Sequence, residues 1–151
     1  MKGPNPKQRL INPKAARFRL RIGRSTLHRY GVFALEEIPA DRRVIEYTGK
    51  CLTLEQAVKI GPPKDIYVAW ITAAKYVDGA RGGSGAEFMN HSCQPNLMQR
   101  HVRGHLLFFS RREIRAGEEL TWNYHYPIKL QRIPCTCGAR RCRGTLRYVL
   151  S

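Results

Sequence analysis

Asn90-His91-Ser92-Cys93-Gln94-Pro95-Asn96, followed near the end of the chain by Cys135-x-Cys137-x4-Cys142, holds four of the five cysteines in the sequence. The last three lie too close together for easy disulfide pairing, because a Cys-x-Cys bridge strains the geometry that a disulfide needs. Clustered thiolates call instead for a soft cation, and Zn2+ held by four tetrahedral ligands is the commonest such site. Cys135, Cys137 and Cys142 leave that site one ligand short, so the fold must bring in a distant residue. Cys93 is the best candidate. Such a site has no open coordination position and is structural.

Composition narrows the class. The chain has 151 residues, 42% of them hydrophobic and 25% charged, which fits one folded domain with its own core. No run of about eighteen apolar residues and no apolar leader is present, so neither a membrane span nor a signal peptide is expected. Free thiols in a metal-like spacing point to a reducing, intracellular setting. The net charge is +16, and residues 1–35 carry nine Lys and Arg with no acid. Charge of that size reads either as a solvated basic surface that keeps the protein soluble or as attraction to nucleic acid or an acidic protein surface, and in the second case the nucleic-acid contact is non-specific and reads no sequence.

The pattern along the chain is mostly β. Residues 1–16 carry three prolines and little periodicity, and read as a flexible basic arm. Arg17 to Ile22 alternates polar and apolar residues, as a half-buried strand does. Val32–Ala34 and Val44–Tyr47 read as short strands around a Pro39-Ala40-Asp41 turn. Thr53-Leu54-Glu55-Gln56 reads as a capping box opening a helix that stops by Gly61-Pro62-Pro63. Ile66–Ile71 and Tyr76-Val77 read as strands, Gly79–Gly85 as a loop, 97–110 as a hairpin turning at Arg103-Gly104, and Leu120–Tyr124 as a last strand. Cys51 has no partner by spacing and reads as a buried, inert thiol. His101 and His105 precede the cysteine cluster and read as surface hairpin residues rather than ligands.

Five segments, in order, resemble the SET-domain protein-lysine methyltransferases: Ser25–Ala34, Ile45–Lys50, Phe88–Asn96, Gly117–Tyr124 and Cys135–Gly144. The resemblance implies a pseudoknotted β fold of short strands with one or two short helices. It implies a SET domain over 17–128 and a post-SET zinc segment over 129–151. It implies S-adenosyl-L-methionine as cofactor, cradled by Arg29, Tyr30 and Gly31, with Asn90 and His91 on its amino-acid and adenine portions and Leu146 packed on adenine. It implies zinc on Cys93, Cys135, Cys137 and Cys142, Tyr124 as the catalytic residue, and Tyr47, Tyr67 and Trp122 as the lysine channel.

The chemistry suits those residue types. A lysine ammonium has a reference pKa of about 10.4, and an apolar channel favours the neutral amine that must attack. Aromatic faces attract the incoming cation. The substrate would be a lysine of a histone or another chromatin- or nucleoid-associated protein, in the nucleus of a eukaryote or the cytoplasm of a bacterium. Arg29, Glu87, Asn123 and Ser84 stand where such proteins usually carry Gly, Arg, Asp and Asn. These departures keep open a catalytically inactive binding module, and the charge keeps open a zinc-containing nucleic-acid-binding protein.

Overall fold

The computed structural model describes residues 10–60, 67–124 and 133–146. Three small sheets carry the fold. β1 (Leu20–Arg24) and β2 (Tyr30–Ala34) pair antiparallel, from Leu20 opposite Ala34 to Arg24 opposite Tyr30. β3 (Arg43–Tyr47), β8 (Leu97–Val102) and β9 (His105–Ser110) form the second sheet, in the order β3-β9-β8. β4 (Lys50–Leu52), β5 (Val68–Thr72) and β6 (Lys75–Asp78) form the third, with β6 central. The first sheet is completed by β10 (Glu119–Trp122), antiparallel to β2 and parallel to the two-residue β7 (Asn90-His91). This wedging of a late strand between two earlier segments brings the Asn90-His91 and Tyr124 regions together.

The core explains the pairing. Val32, Ile38, Val44, Ile45, Leu97, Phe108, Ile114 and Leu120 are fully buried, one or two from each main strand or its flanking turn. Ile38 and Ile114 exchange both backbone hydrogen bonds at 2.8 Å, tying the turn after β2 to the turn before β10. The buried Ser110 hydroxyl donates to the Pro39 carbonyl at 2.6 Å and fixes the turn that begins β3. Each apolar residue buried in this way stabilises the fold by about 1.5–3 kcal/mol relative to exposure.

Local signals are realised where they carry a backbone mechanism. Thr53 and Gln56 cap each other reciprocally, Thr53 N–H to Gln56 Oε1 at 3.0 Å and Gln56 N–H to Thr53 Oγ1 at 3.3 Å, opening α1 (Leu54–Ile60). The β8–β9 hairpin turns on Arg103 and Gly104 with φ of 49° and 78°, the doubly left-handed conformation of a two-residue hairpin turn.

Other expectations are corrected. The first strand begins at Leu20, not Arg17; residues 17–19 keep the exposed/half-buried alternation, but the Arg17 N–H bonds the Val44 carbonyl, away from β2. The flexible arm expected over 1–16 does not reach residue 16. Ala15 is buried, Ala16 bridges Ile45, and Asn12 N–H donates to the Ser84 carbonyl at 2.9 Å. Residues 1–9 lie outside the described residues, as do Gly61 to Ile66 and the stop expected for α1. Tyr67 sits in a helical turn before β5, and β10 ends at Trp122, short of Tyr124. Cys51 is exposed on β4 rather than buried, because its neighbour Leu52 takes the inward face.

Candidate functional site: a cavity walled by the cysteine cluster

A cavity of about 400 Å³ opens where the loop before β2, the 3-10 turn at Ala86–Phe88, β7, Tyr124 and the cysteine segment converge. That volume is in the range of small-molecule sites. Its wall includes Arg29, Tyr30, Asn90, His91 and Leu146, all expected on the cofactor side, and Tyr67 and Tyr124, expected on the substrate side. Gly31 is not on the wall. It lies one position on, in β2, where a Cβ would strike the Glu119 carboxylate.

The loop over 25–30 is held by a part-buried polar network. The Asn90 amide nitrogen reaches the carbonyls of Tyr30 at 2.8 Å and His28 at 3.2 Å, Glu119 Oε1 at 2.7 Å and Ser25 Oγ at 3.2 Å. Ser25 Oγ lies 2.7–2.8 Å from both Glu119 carboxylate oxygens, donates its single proton to that carboxylate and accepts the Leu27 N–H at 2.9 Å. Hydrogen bonds to a carboxylate are about twice as strong as neutral ones, so this network sets the loop's shape. Arg29 ends the loop at φ 41°, a conformation that costs a non-glycine residue strain and turns the chain into β2.

Beside His91, with ring centroids 5.4 Å apart, the Tyr124 hydroxyl donates to the Met89 carbonyl at 2.6 Å, which fixes its proton and leaves its oxygen an acceptor. Tyr47 is buried behind, its hydroxyl donating to the Tyr67 carbonyl at 2.8 Å. Trp122 packs among Phe108, Tyr124 and Tyr47, with ring centroids 5.0, 4.9 and 6.4 Å away. Neither Tyr47 nor Trp122 is on the cavity wall; they support the two tyrosines that are. Burial pushes the Tyr67 phenol pKa up, with Arg29 opposing and Glu87 reinforcing, so it stays protonated. Those two charges therefore share the cavity with Tyr67. Glu87 is buried, accepts the Gly85 N–H at 2.8 Å, and fits because Gly79 and Gly83 leave no Cβ to strike it.

The cysteine segment forms the remaining wall. Pro134 bridges Thr145, and Ile133 and Cys135 accept and donate backbone bonds to Leu146 and Gly144. The turn they close brings Cys135, Cys137 and Cys142 to Cys93. Cys93 Sγ lies 3.7 Å from Cys135 Sγ and 4.0 Å from Cys142 Sγ. Tetrahedral zinc with Zn–S bonds of about 2.3 Å spaces its sulfurs about 3.8 Å apart, so the cluster can hold that ion. Ligand atoms of His91, Cys93, Cys135 and Cys137 also lie within 4.8 Å of one another.

Electrostatics divide the thiols. Burial pushes Cys93 up, and pushes Cys135 up to about 12. Burial also raises Cys137, but the N–H groups of Cys93 and Ala139 outweigh it, with help from the Cys135 and Cys142 side chains, and bring it down to about 6. His101 and His105 are exposed hairpin residues, on the Trp70 carbonyl at 3.1 Å and Glu46 Oε1 at 2.6 Å. Ser25, Glu87 and Glu119 were not assigned from sequence, although each lies within or beside a stretch that carries the family resemblance.

The SET domain family model matches residues 29–125. The chain belongs to the SET-domain family. It is 35% identical over 140 residues to "Histone-lysine N-methyltransferase SETD1" of Drosophila melanogaster, covering 84% of this chain and 8% of that protein. It is 37% identical over 145 residues to "Histone-lysine N-methyltransferase, H3 lysine-4 specific" of Schizosaccharomyces pombe, covering 88% and 16%. A crystal structure of KRYPTONITE in complex with mCHG DNA and SAH superposes with a TM-score of 0.72 at 30% identity, covering 87% of this chain and 30% of that one. The chain thus spans a small part of the length of the curated relatives it matches.

Proposed function

We propose that the chain is a protein-lysine N-methyltransferase that moves a methyl group from S-adenosyl-L-methionine to a lysine of a histone or another chromatin-associated protein. The observation that carries the reading is one cavity whose lining brings Tyr30, Asn90 and His91 together with Tyr67 and Tyr124. Arg29, Tyr30, Asn90, His91 and Leu146 would hold the cofactor, and Arg29 and Glu87 offer opposite charges to its zwitterionic amino-acid end. When bound, S-adenosyl-L-methionine supplies an electrophilic methyl group. Tyr67 and Tyr124 receive the lysine amine against aromatic faces. Exclusion of water there favours its neutral form. The Tyr124 oxygen, its proton committed to Met89, accepts from the amine and fixes its orientation, so alignment rather than a dedicated base supplies most of the rate.

Zinc on Cys93, Cys135, Cys137 and Cys142 would have no open position and would brace the cysteine wall. A histone substrate places the activity on chromatin. The basic surface, with Arg17, Arg19, Arg21 and Arg24 exposed or half-exposed along β1 and its approach, adds non-specific affinity for nucleic acid.

The test is methyl transfer from labelled cofactor to histones and a peptide array, with Tyr124→Phe alongside. Activity lost in Tyr124→Phe at unchanged cofactor affinity is expected. Cofactor binding with no transfer to any peptide or protein would replace this reading with an inactive binding module.

A further inference from the structure

His91 stands between the two halves of the site, and its hydrogen bonds settle which half it serves. The Tyr124 backbone N–H donates to His91 Nδ1 at 3.0 Å. An amide N–H can only donate, so Nδ1 is the acceptor nitrogen. A neutral imidazole has one acceptor and one donor nitrogen, so the proton is on Nε2. Nε2 faces Cys93 Sγ at 3.3 Å. A protonated nitrogen has no lone pair for a metal. The separation is also shorter than the roughly 3.6 Å expected between a nitrogen and a sulfur on one tetrahedral zinc. His91 is close enough to be a ligand but in the wrong tautomer to be one, and Cys142 is left as the fourth donor.

We propose that His91 is a positioning residue that ties the metal-thiolate cluster to the catalytic strand, donating from Nε2–H to the Cys93 thiolate while its Nδ1 holds the Tyr124 backbone. The inference rests on the reading of Tyr124 as the catalytic residue. A parallel link runs beside it. The Arg143 N–H donates to the same Cys93 sulfur at 3.4 Å, and the Arg143 guanidinium donates to Asn123 Oδ1 at 2.7 Å. Both residues just before and at the catalytic position are thus tethered to groups that contact one sulfur. Asn123, which stands where an aspartate is usual, keeps the acceptor oxygen that the tether needs. Metal ligation fixes Cys93, Cys93 orients His91 and Arg143, and these set where the Tyr124 ring stands in the cavity. Partners of this kind in other metal sites change metal affinity or activity about 10–100-fold when lost.

The experiment uses cadmium-loaded full-length protein and does not depend on observing methyl transfer. The 113Cd resonance of the unmodified protein should report four sulfur ligands and stay in place in His91→Asn. The shorter amide side chain of that variant can accept from the Tyr124 N–H but cannot reach Cys93. In the unmodified protein, coupling should appear between cadmium and the His91 ring N–H across the hydrogen bond, a measurement that needs no variant to fold. Chelation should speed exchange of the Tyr124 amide about tenfold in the unmodified protein and by much less in His91→Asn. A cadmium resonance of three sulfurs and one nitrogen that changes in His91→Asn would make His91 a ligand and overturn the proposal. So would an equal effect of chelation on the Tyr124 amide in both proteins. Absence of methyl transfer with these signatures intact would sink the functional reading and leave the link standing.

Discussion

Replacing Asn90 by alanine tests whether the 25–30 loop must keep its bonded shape for the proposed cofactor to bind. The amide nitrogen bonds the Glu119 carboxylate at 2.7 Å and the Tyr30 carbonyl at 2.8 Å, in a residue only 7% exposed. A hydrogen bond to a charged group contributes about 1.5–3 kcal/mol and a neutral one about 0.5–1.5. The loss is therefore about 3 kcal/mol, taken mostly from the bonded arrangement of the 25–30 loop. That is below the 5–15 kcal/mol of a typical domain, so the protein should still fold. At 1.36 kcal/mol per decade it allows up to roughly 10²-fold weaker cofactor binding where binding needs that bonded arrangement. Titration calorimetry with S-adenosyl-L-methionine, beside a circular dichroism melt, reads both quantities. Asn90→Asp should be worse than alanine, because it sets a second carboxylate against Glu119. Affinity within about twofold of the unmodified protein in Asn90→Ala, with a normal melt, would refute the reasoning.

The other expectations are more local. Cys135→Ser should reduce bound zinc below one per chain by atomic absorption and loosen the cysteine wall, with cofactor affinity falling in parallel; one tightly held zinc in that variant would remove Cys135 from the ligand set. Deleting residues 1–9 should weaken DNA binding and flatten its salt dependence while leaving peptide turnover intact. Extending the deletion to residue 16 should lower the melting temperature, because Ala15 and Ala16 pack on β3. Trp122→Phe removes a bulky ring that packs on Tyr124 behind the cavity wall and an indole N–H that has no partner among the described residues; the variant should melt at a lower temperature with cofactor affinity unchanged, and an unchanged melt in a thermal scan would remove Trp122 from the support of the two tyrosines.

What the sequence disclosed depended on how far each signal had to reach. The cysteine spacing, the Thr53–Gln56 cap and the Arg103-Gly104 turn were legible because their chemistry closes within a few residues. Arg17–Leu20 shows the opposite. Its alternation is that of a strand, and the side chains obey it, yet strand pairing requires a partner, and the Arg17 N–H finds Val44 instead of β2. Cys51 was misplaced for the same reason: an apolar-looking thiol is buried only if the pleat turns it inward, and the register of β4 gives that face to Leu52. Glu119 lies in the Gly117–Tyr124 stretch, and nothing local in the sequence gives it a partner. It becomes the anchor of the 25–30 loop only because β10 slides between β2 and β7, carrying it to Ser25 and Asn90. His91 makes the argument most sharply. The family resemblance implies a cofactor contact, and its proximity to three sulfurs suggests a ligand. A single backbone N–H donated by Tyr124 decides its tautomer, and with it the role. Residue types name the chemistry available at a site, while the long-range hydrogen bonds decide which part of that chemistry each residue is left to perform.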